Sequence, residues 1–168
     1  REMSTFLQTS ITTGFQIMAR FTPNLAERLI ARMFFRPLRF KRPVREIEWL
    51  KTARTKRVTF SGYYPRKPDQ AYYCVYEWGS GPTILLVHGW GGRGAQLGAL
   101  ALVLAESGYQ VVTFDAPAHG DAGSKQTNLL EFGQIIAELS QQYNGFEAII
   151  GHSFGGISSA FAISEGVQ

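Results

Sequence analysis

A serine set between glycines, at the end of an apolar run, is the residue in this chain best placed to do chemistry. In Ile149-Ile150-Gly151-His152-Ser153-Phe154-Gly155-Gly156 it holds the spacing G-x-S-x-G, after a run that reads as a buried strand and before one that reads as a helix. A strand that turns abruptly into a helix leaves one residue at a tight, exposed corner, and the glycines two before and two after it let the backbones pass without Cβ clashes. The Ser153 hydroxyl would project from the sheet edge as a nucleophile for a carbonyl. The N-terminus of the following helix would offer N–H groups and partial positive charge to the developing oxyanion, the N–H of Phe154 first among them. The plain alternative is a glycine turn with a capping serine.

Two further glycine-rich corners follow apolar runs. Val87-His88-Gly89-Trp90-Gly91-Gly92 brings backbone close to the serine, and the N–H of Trp90 is the expected second oxyanion donor. Four glycines lie between Gly89 and Gly94, more than a simple connection requires. His88 is expected to be a hydrogen-bonding residue at a strand end, not a base. In Phe114-Asp115-Ala116-Pro117-Ala118-His119-Gly120, the pair Asp115 and His119 invites reading as catalytic. A Pro-Gly turn of this kind more often uses such residues to brace the loop, and bracing is the expectation here.

These corners need a scaffold, and the chain supplies alternating elements. Val58–Tyr63 and Tyr72–Trp78 alternate and are rich in β-branched and aromatic residues, which predicts two paired strands. Thr83–Val87, Val111–Phe114 and Phe146–Ile150 read as strands buried on both faces. Ala95–Ser107, stopped by Gly108, Thr127–Tyr143, ended by Asn144-Gly145, and Ile157–Ser164 read as helices. The order β-β-β-α-β-α-β-α predicts an α/β fold with a mostly parallel sheet and helices on both faces. Ligands bind such sheets outside the carboxyl ends of the strands, where all three corners fall.

The chain has 168 residues, 45% of them hydrophobic, and a net charge of +4. That charge is uneven. Residues 1–57 hold 13 of the 17 Lys and Arg and 4 of the 13 Asp and Glu, a net +9, whereas residues 58–168 carry a net −5. The first region, 1–57, is expected to be a basic, amphipathic helical extension. Ile17, Phe21, Leu25, Leu29 and Phe34 recur at helical intervals, Thr22-Pro23 reads as a helix start with Thr22 as cap, and Pro37 and Pro43 interrupt the helix. Arg28, Arg32, Arg36 and Arg39 would form one basic stripe. Such a stripe is either a solvated face on a packed helix or a contact for an anionic membrane surface or partner. No run reaches the roughly 18 apolar residues of a membrane span. The uncharged stretch from Ser4 to Ala19 lacks the apolar core and cleavage site of a signal peptide. No nucleic-acid-binding motif accompanies the charge, and no nucleic-acid partner is expected. Cys74, the single cysteine, lies in an apolar-aromatic run and is expected to be a buried thiol. One cysteine allows no internal disulfide, which fits a reducing compartment such as the cytoplasm.

From Thr83 to Gly156 the chain resembles the α/β-hydrolase superfamily, close to its esterase and lipase branch. The resemblance rests on His88-Gly89-Trp90-Gly91, Asp115-Ala116-Pro117-Ala118-His119-Gly120 and Gly151-His152-Ser153-Phe154-Gly155-Gly156, in that order and spacing. It implies acyl transfer to water: Ser153 attacks a small-molecule acyl substrate, an acyl-enzyme forms, and water releases it, with no cofactor and no metal. Members acting on epoxides carry Asp where this chain has Ser153. Amide or carbon–carbon bond hydrolysis is an alternative, as is a non-catalytic binding or scaffold protein on the same fold. In that family the order is Ser, then acid, then His. Here His88, His119 and His152 precede Ser153, and only Glu165 is acidic after it. The resemblance therefore implies that acid and histidine lie beyond Gln168. The chain is expected to be the N-terminal part of such a domain, truncated after the helix that follows the serine corner and without turnover by itself.

Overall fold

A computed structural model describes residues 12–14 and 16–168. Expectations resting on residues 1–11 and 15, including most of the Ser4 to Ala19 run, lie outside the described residues. The chain divides into two compact units, residues 1–36 and 37–168.

In the first unit, residues 16–21 are helical, and α1 spans Pro23–Phe34. Pro23 occupies the first turn, where a missing N–H costs nothing. Thr22 stands at the N-cap position, but its hydroxyl donates back to the Met18 carbonyl (3.1 Å) and caps no N–H. The predicted basic stripe is shortened. Arg28 and Arg32 lie on α1, Arg36 follows the helix, and Arg39 belongs to the second unit.

The second unit begins with α2 (Val44–Lys51), followed by β1 (Arg54–Thr59), β2 (Tyr72–Trp78), β3 (Thr83–Val87), α3 (Gly98–Glu106), β4 (Gln110–Asp115), α4 (Leu129–Tyr143), β5 (Ala148–Gly151) and α5 (Phe154–Ser164). Charge alone divides the chain at Arg57, yet the compact unit starts at Pro37 and β1 runs across that division. The first strand lies four residues earlier than its β-branched pattern indicates, because Arg54–Thr59 pairs with Tyr72–Glu77 of β2 while the chain leaves the sheet after Thr59. A 3-10 turn, Gly94–Leu97, takes up the start of the predicted Ala95–Ser107 helix.

The five strands form one sheet in the order β1-β2-β4-β3-β5. β3 is parallel to both β4 and β5, while β2 runs antiparallel to β1 and β4. The sheet is thus mixed, with its parallel half carrying all three glycine corners. Alternation along the central strands feeds two cores. Leu85, Val87, Val112 and Phe114 pack with Phe132, Ile135, Ile136 and Leu139 of α4 on one face. Ile84, Leu86, Val111, Tyr76 and Trp78 pack with Ala101 of α3 on the other, with Leu50 of α2 against them. Burial on both faces explains why β3 is apolar without interruption. Asn144, in the left-handed conformation at φ 58°, ends α4 as Asn144-Gly145 predicts.

Candidate active site

Ser153 is the one residue between β5 and α5 whose backbone takes a conformation that side chains resist: φ 54°, ψ −117°. Such a residue costs on the order of 1–3 kcal/mol and persists only where its surroundings enforce it. The enforcement is visible in the glycines. A Cβ on Gly151 would lie 2.5 Å from the Gly156 nitrogen, and one on Gly155 would lie 2.7 Å from the His88 carbonyl oxygen. Both positions therefore let α5 start directly against the ends of β3 and β5. The result is a solvent-exposed Ser153. Behind it the N–H of Gly155 donates to the His152 carbonyl and that of Gly156 to the Ser153 carbonyl, both at 2.9 Å. The N–H of Phe154, at the head of α5, donates to no acceptor among the described residues.

The first glycine corner sits beside it. A Cβ on Gly89 would lie 3.2 Å from His152 Nδ1 and 3.3 Å from Ser153 Cβ. Gly89 to Gly92 form a tight turn closed by the Gly92 N–H donating to the Gly89 carbonyl (2.9 Å), with Gly91 at φ 69°. The Trp90 ring meets the Phe154 ring edge to face at 5.1 Å. A cavity of about 340 Å³ opens here, its lining including Gly89, His152, Gln96 and Arg45. A larger hollow of about 760 Å³, between Pro82, Ser140 and Phe146, lies at the N-terminal ends of the strands, away from all three corners.

His88 and His119 are both buried and both braced. His88 Nε2 accepts from the Ala116 N–H (3.1 Å), so its Nδ1 carries the proton and donates to the Gly89 carbonyl (2.8 Å). His119 has the same tautomer: Nε2 accepts from the Gly91 N–H (3.0 Å), and Nδ1 donates to the Pro117 carbonyl (3.0 Å). Burial holds both rings neutral. It lowers the His88 pKa outright and, with the neighbouring His88 ring, takes His119 down to about 3.

Asp115 hydrogen-bonds to no histidine nitrogen among the described residues. Its Oδ1 accepts from the Gly94 N–H (2.7 Å), and its Oδ2 accepts from Tyr76 Oη (2.8 Å) and the Asp121 N–H (2.7 Å), with Arg42 at 3.4 Å. Cys74 is a buried thiol, pushed up to about 12 by burial and by the carboxylates of Asp115 and Asp121.

Residues 84–166 match the profile of the alpha/beta hydrolase family. Among solved structures, a thioesterase domain from the curacin biosynthetic pathway is 26% identical (TM-score 0.58), with 67% of this chain and 42% of that chain covered. A monoacylglycerol lipase of Paleococcus ferrophilus is 27% identical (TM-score 0.52), covering 54% of this chain and 37% of that one. An epoxide hydrolase of Vigna radiata, 20% identical with a TM-score of 0.55 over 67% of this chain and 34% of that chain, shares the fold. The chain has the alpha/beta hydrolase fold. It spans less than half the length of these three structures. No curated protein sequence matches it.

The fold brings Ser153, Gly89, Trp90 and Phe154 to one corner of the sheet and keeps Asp115 and His119 in the loop beside it. Residues to which the sequence alone gives no place at this corner complete the surroundings. Phe132 stacks edge-on against Phe154 (5.2 Å) and His119 (5.5 Å). Glu46 and Arg93 form a buried two-point ion pair at 2.5 and 3.1 Å, which seats α2 behind the first glycine corner. Arg39 donates from Nε to the Ala118 carbonyl (2.9 Å) and from Nη2 to the Ala122 carbonyl (2.7 Å).

Proposed function

We propose that this protein is a serine hydrolase that cleaves a carboxylic ester or related acyl bond through an acyl-enzyme on Ser153. The observation that carries the reading is the Ser153 backbone, held at φ 54° between two glycines that cannot accept a Cβ, so that the hydroxyl stands exposed at the head of α5. Ser153 Oγ attacks the carbonyl carbon as its proton passes to a base, and the carbonyl oxygen becomes an oxyanion. The Phe154 N–H, which has no acceptor among the described residues, and the Trp90 N–H receive that charge. Collapse expels the alcohol or thiol, and water then releases the acid. Neither His88 nor His119 is that base, since each already spends both ring nitrogens on backbone groups. Thioesterase and monoacylglycerol lipase neighbours support acyl transfer as the chemistry. The test is turnover of an activated acyl ester by the full-length protein: Ser153→Ala should lower kcat by about 10³-fold or more. Unchanged turnover in that variant sinks the reading.

We propose in addition that α1 rests on an anionic membrane surface. It leaves Leu25, Ile30, Met33 and Phe34 between 55% and 67% exposed, with Arg28 and Arg32 on the same helix. Full-length protein should sediment with phosphatidylglycerol vesicles at low salt and be released at high salt, and Arg28→Glu with Arg32→Glu should abolish it. Equal binding to neutral vesicles would contradict the electrostatic part of this reading.

A further inference from the structure

The turn that carries the Trp90 N–H is closed by its own Gly92-to-Gly89 hydrogen bond and is also braced from outside. Its central peptide presents the Gly91 N–H to the His119 Nε2 (3.0 Å), and Gly91 sits at φ 69°, the left-handed third position of the turn. A flip of that peptide would exchange the N–H for the Trp90 carbonyl, and a neutral Nε2 accepts only the first. His119 in turn lies in a loop that is itself strained. Ala118, its neighbour, is at φ 67°, and Ser124 is at φ 73°. The loop closes on itself through Ala118 N–H to the Gly123 carbonyl (2.8 Å) and Ala122 N–H to the His119 carbonyl (3.0 Å). That leaves a cluster of carbonyls turned outward, and Arg39 gathers them. Its Nε takes the Ala118 carbonyl (2.9 Å), and its Nη2 takes those of Ala122 (2.7 Å) and Ser124 (3.2 Å). Three residues later Arg42 bonds Asp121 (2.7 Å) in the same loop. The neighbouring Leu38 carbonyl passes 3.8 Å from where a Gly91 Cβ would stand.

We infer that Arg39 and His119 are positioning residues for the oxyanion site. The segment before α2 clamps the 116–124 loop, the loop presents His119, and His119 anchors the Gly89–Gly92 turn, and with it the Trp90 N–H, beside Ser153. This rests on Ser153 and the Trp90 N–H having the roles proposed above. It also extends the site upstream of residues 84–166, the part that matches the family profile.

Glutamine and asparagine separate positioning from bulk structure. A glutamine amide oxygen reaches the place of Nε2 and can accept the Gly91 N–H, whereas asparagine reaches only the place of Nδ1 and can serve Pro117 alone. In the full-length protein, His119→Asn should lower kcat by about 10- to 100-fold, up to the size of losing an oxyanion donor, with KM changed less than about threefold. His119→Gln should recover about tenfold of that loss. Arg39→Met should lower kcat in the same manner, and Arg39→Lys should fall between it and the wild type, since an ammonium cannot fork across the Ala118 and Ala122 carbonyls. Amide hydrogen exchange reads the bond without catalysis: Gly91 should lose protection in His119→Asn and keep it in His119→Gln. Equal kcat values for the two histidine variants, unchanged Gly91 exchange, or losses that track thermal midpoints alone would overturn the proposal. In that case turnover still disappears with Ser153→Ala. Turnover that survives Ser153→Ala overturns the nucleophile reading, and this one with it.

Discussion

At the scale of single residues, the corner at Ser153 is a compromise between stability and exposure. A left-handed serine is costly, so Ser153→Gly should raise the unfolding free energy by about 1 kcal/mol while removing activity; urea unfolding of the two proteins checks it. Gly155→Ala should act oppositely. Its new Cβ meets the Val87 and His88 carbonyls, backbone that cannot move aside, and stability should fall by about 3 kcal/mol. Protonation gives a third expectation. His119 stays neutral down to about pH 3, whereas an unfolded histidine takes up a proton near pH 6.5. Between those values the unfolded chain binds more protons than the folded one, so stability falls as pH is lowered, by up to about 1.4 kcal/mol per pH unit for this group. His119→Gln should flatten that acid limb in a pH series of thermal midpoints, and an unchanged slope would contradict it. The spacing around Ser153 was fully legible because a serine corner needs glycines at fixed offsets. The partners of His88 and His119 were not, since which backbone N–H meets a ring nitrogen is decided by folding, not by spacing.

At the scale of elements, the strands and helices of residues 72–168 could be read from periodicity and turn residues, and the structure moves their ends by a few residues. The region before them was harder. Arg39 reads as the last member of a helical stripe with Arg28, Arg32 and Arg36, yet its acceptors lie 79 to 85 residues away, and no local pattern announces them. Glu46 and Arg93 are likewise 47 residues apart. That pair is buried, so removing one member should be expensive and removing both much less so. Arg93→Met should destabilise the fold by about 3–5 kcal/mol, and adding Glu46→Leu should restore most of the loss. A double-mutant cycle by denaturant unfolding measures it, and additive losses would contradict the coupling. Arg66 and Glu131 tie the segment after β1 to the first turn of α4 by the same buried chemistry (2.6 Å).

At the scale of the whole molecule, the division at Arg36 and Pro37 matters more than the change in charge along the chain. Residues 37–51 carry Arg39, Arg42 and Glu46 and belong to the hydrolase unit, so removing residues 1–36 from the full-length protein should leave its thermal transition and turnover intact. Removing residues 1–51 should lose both. No helix among the described residues is long and apolar enough to cross a membrane. The fold itself was legible at this scale because three corners recur in order on one sheet edge, each imposed by backbone geometry. The substrate was not, because none of the three corners carries side chains that specify an acyl group. The most direct measurement is covalent labelling of the full-length protein with a fluorophosphonate probe, followed by mapping of the modified peptide. The account predicts a single adduct on Ser153, absent in Ser153→Ala and slowed in His119→Asn. An unlabelled wild type, or an adduct carried by another residue, would contradict it.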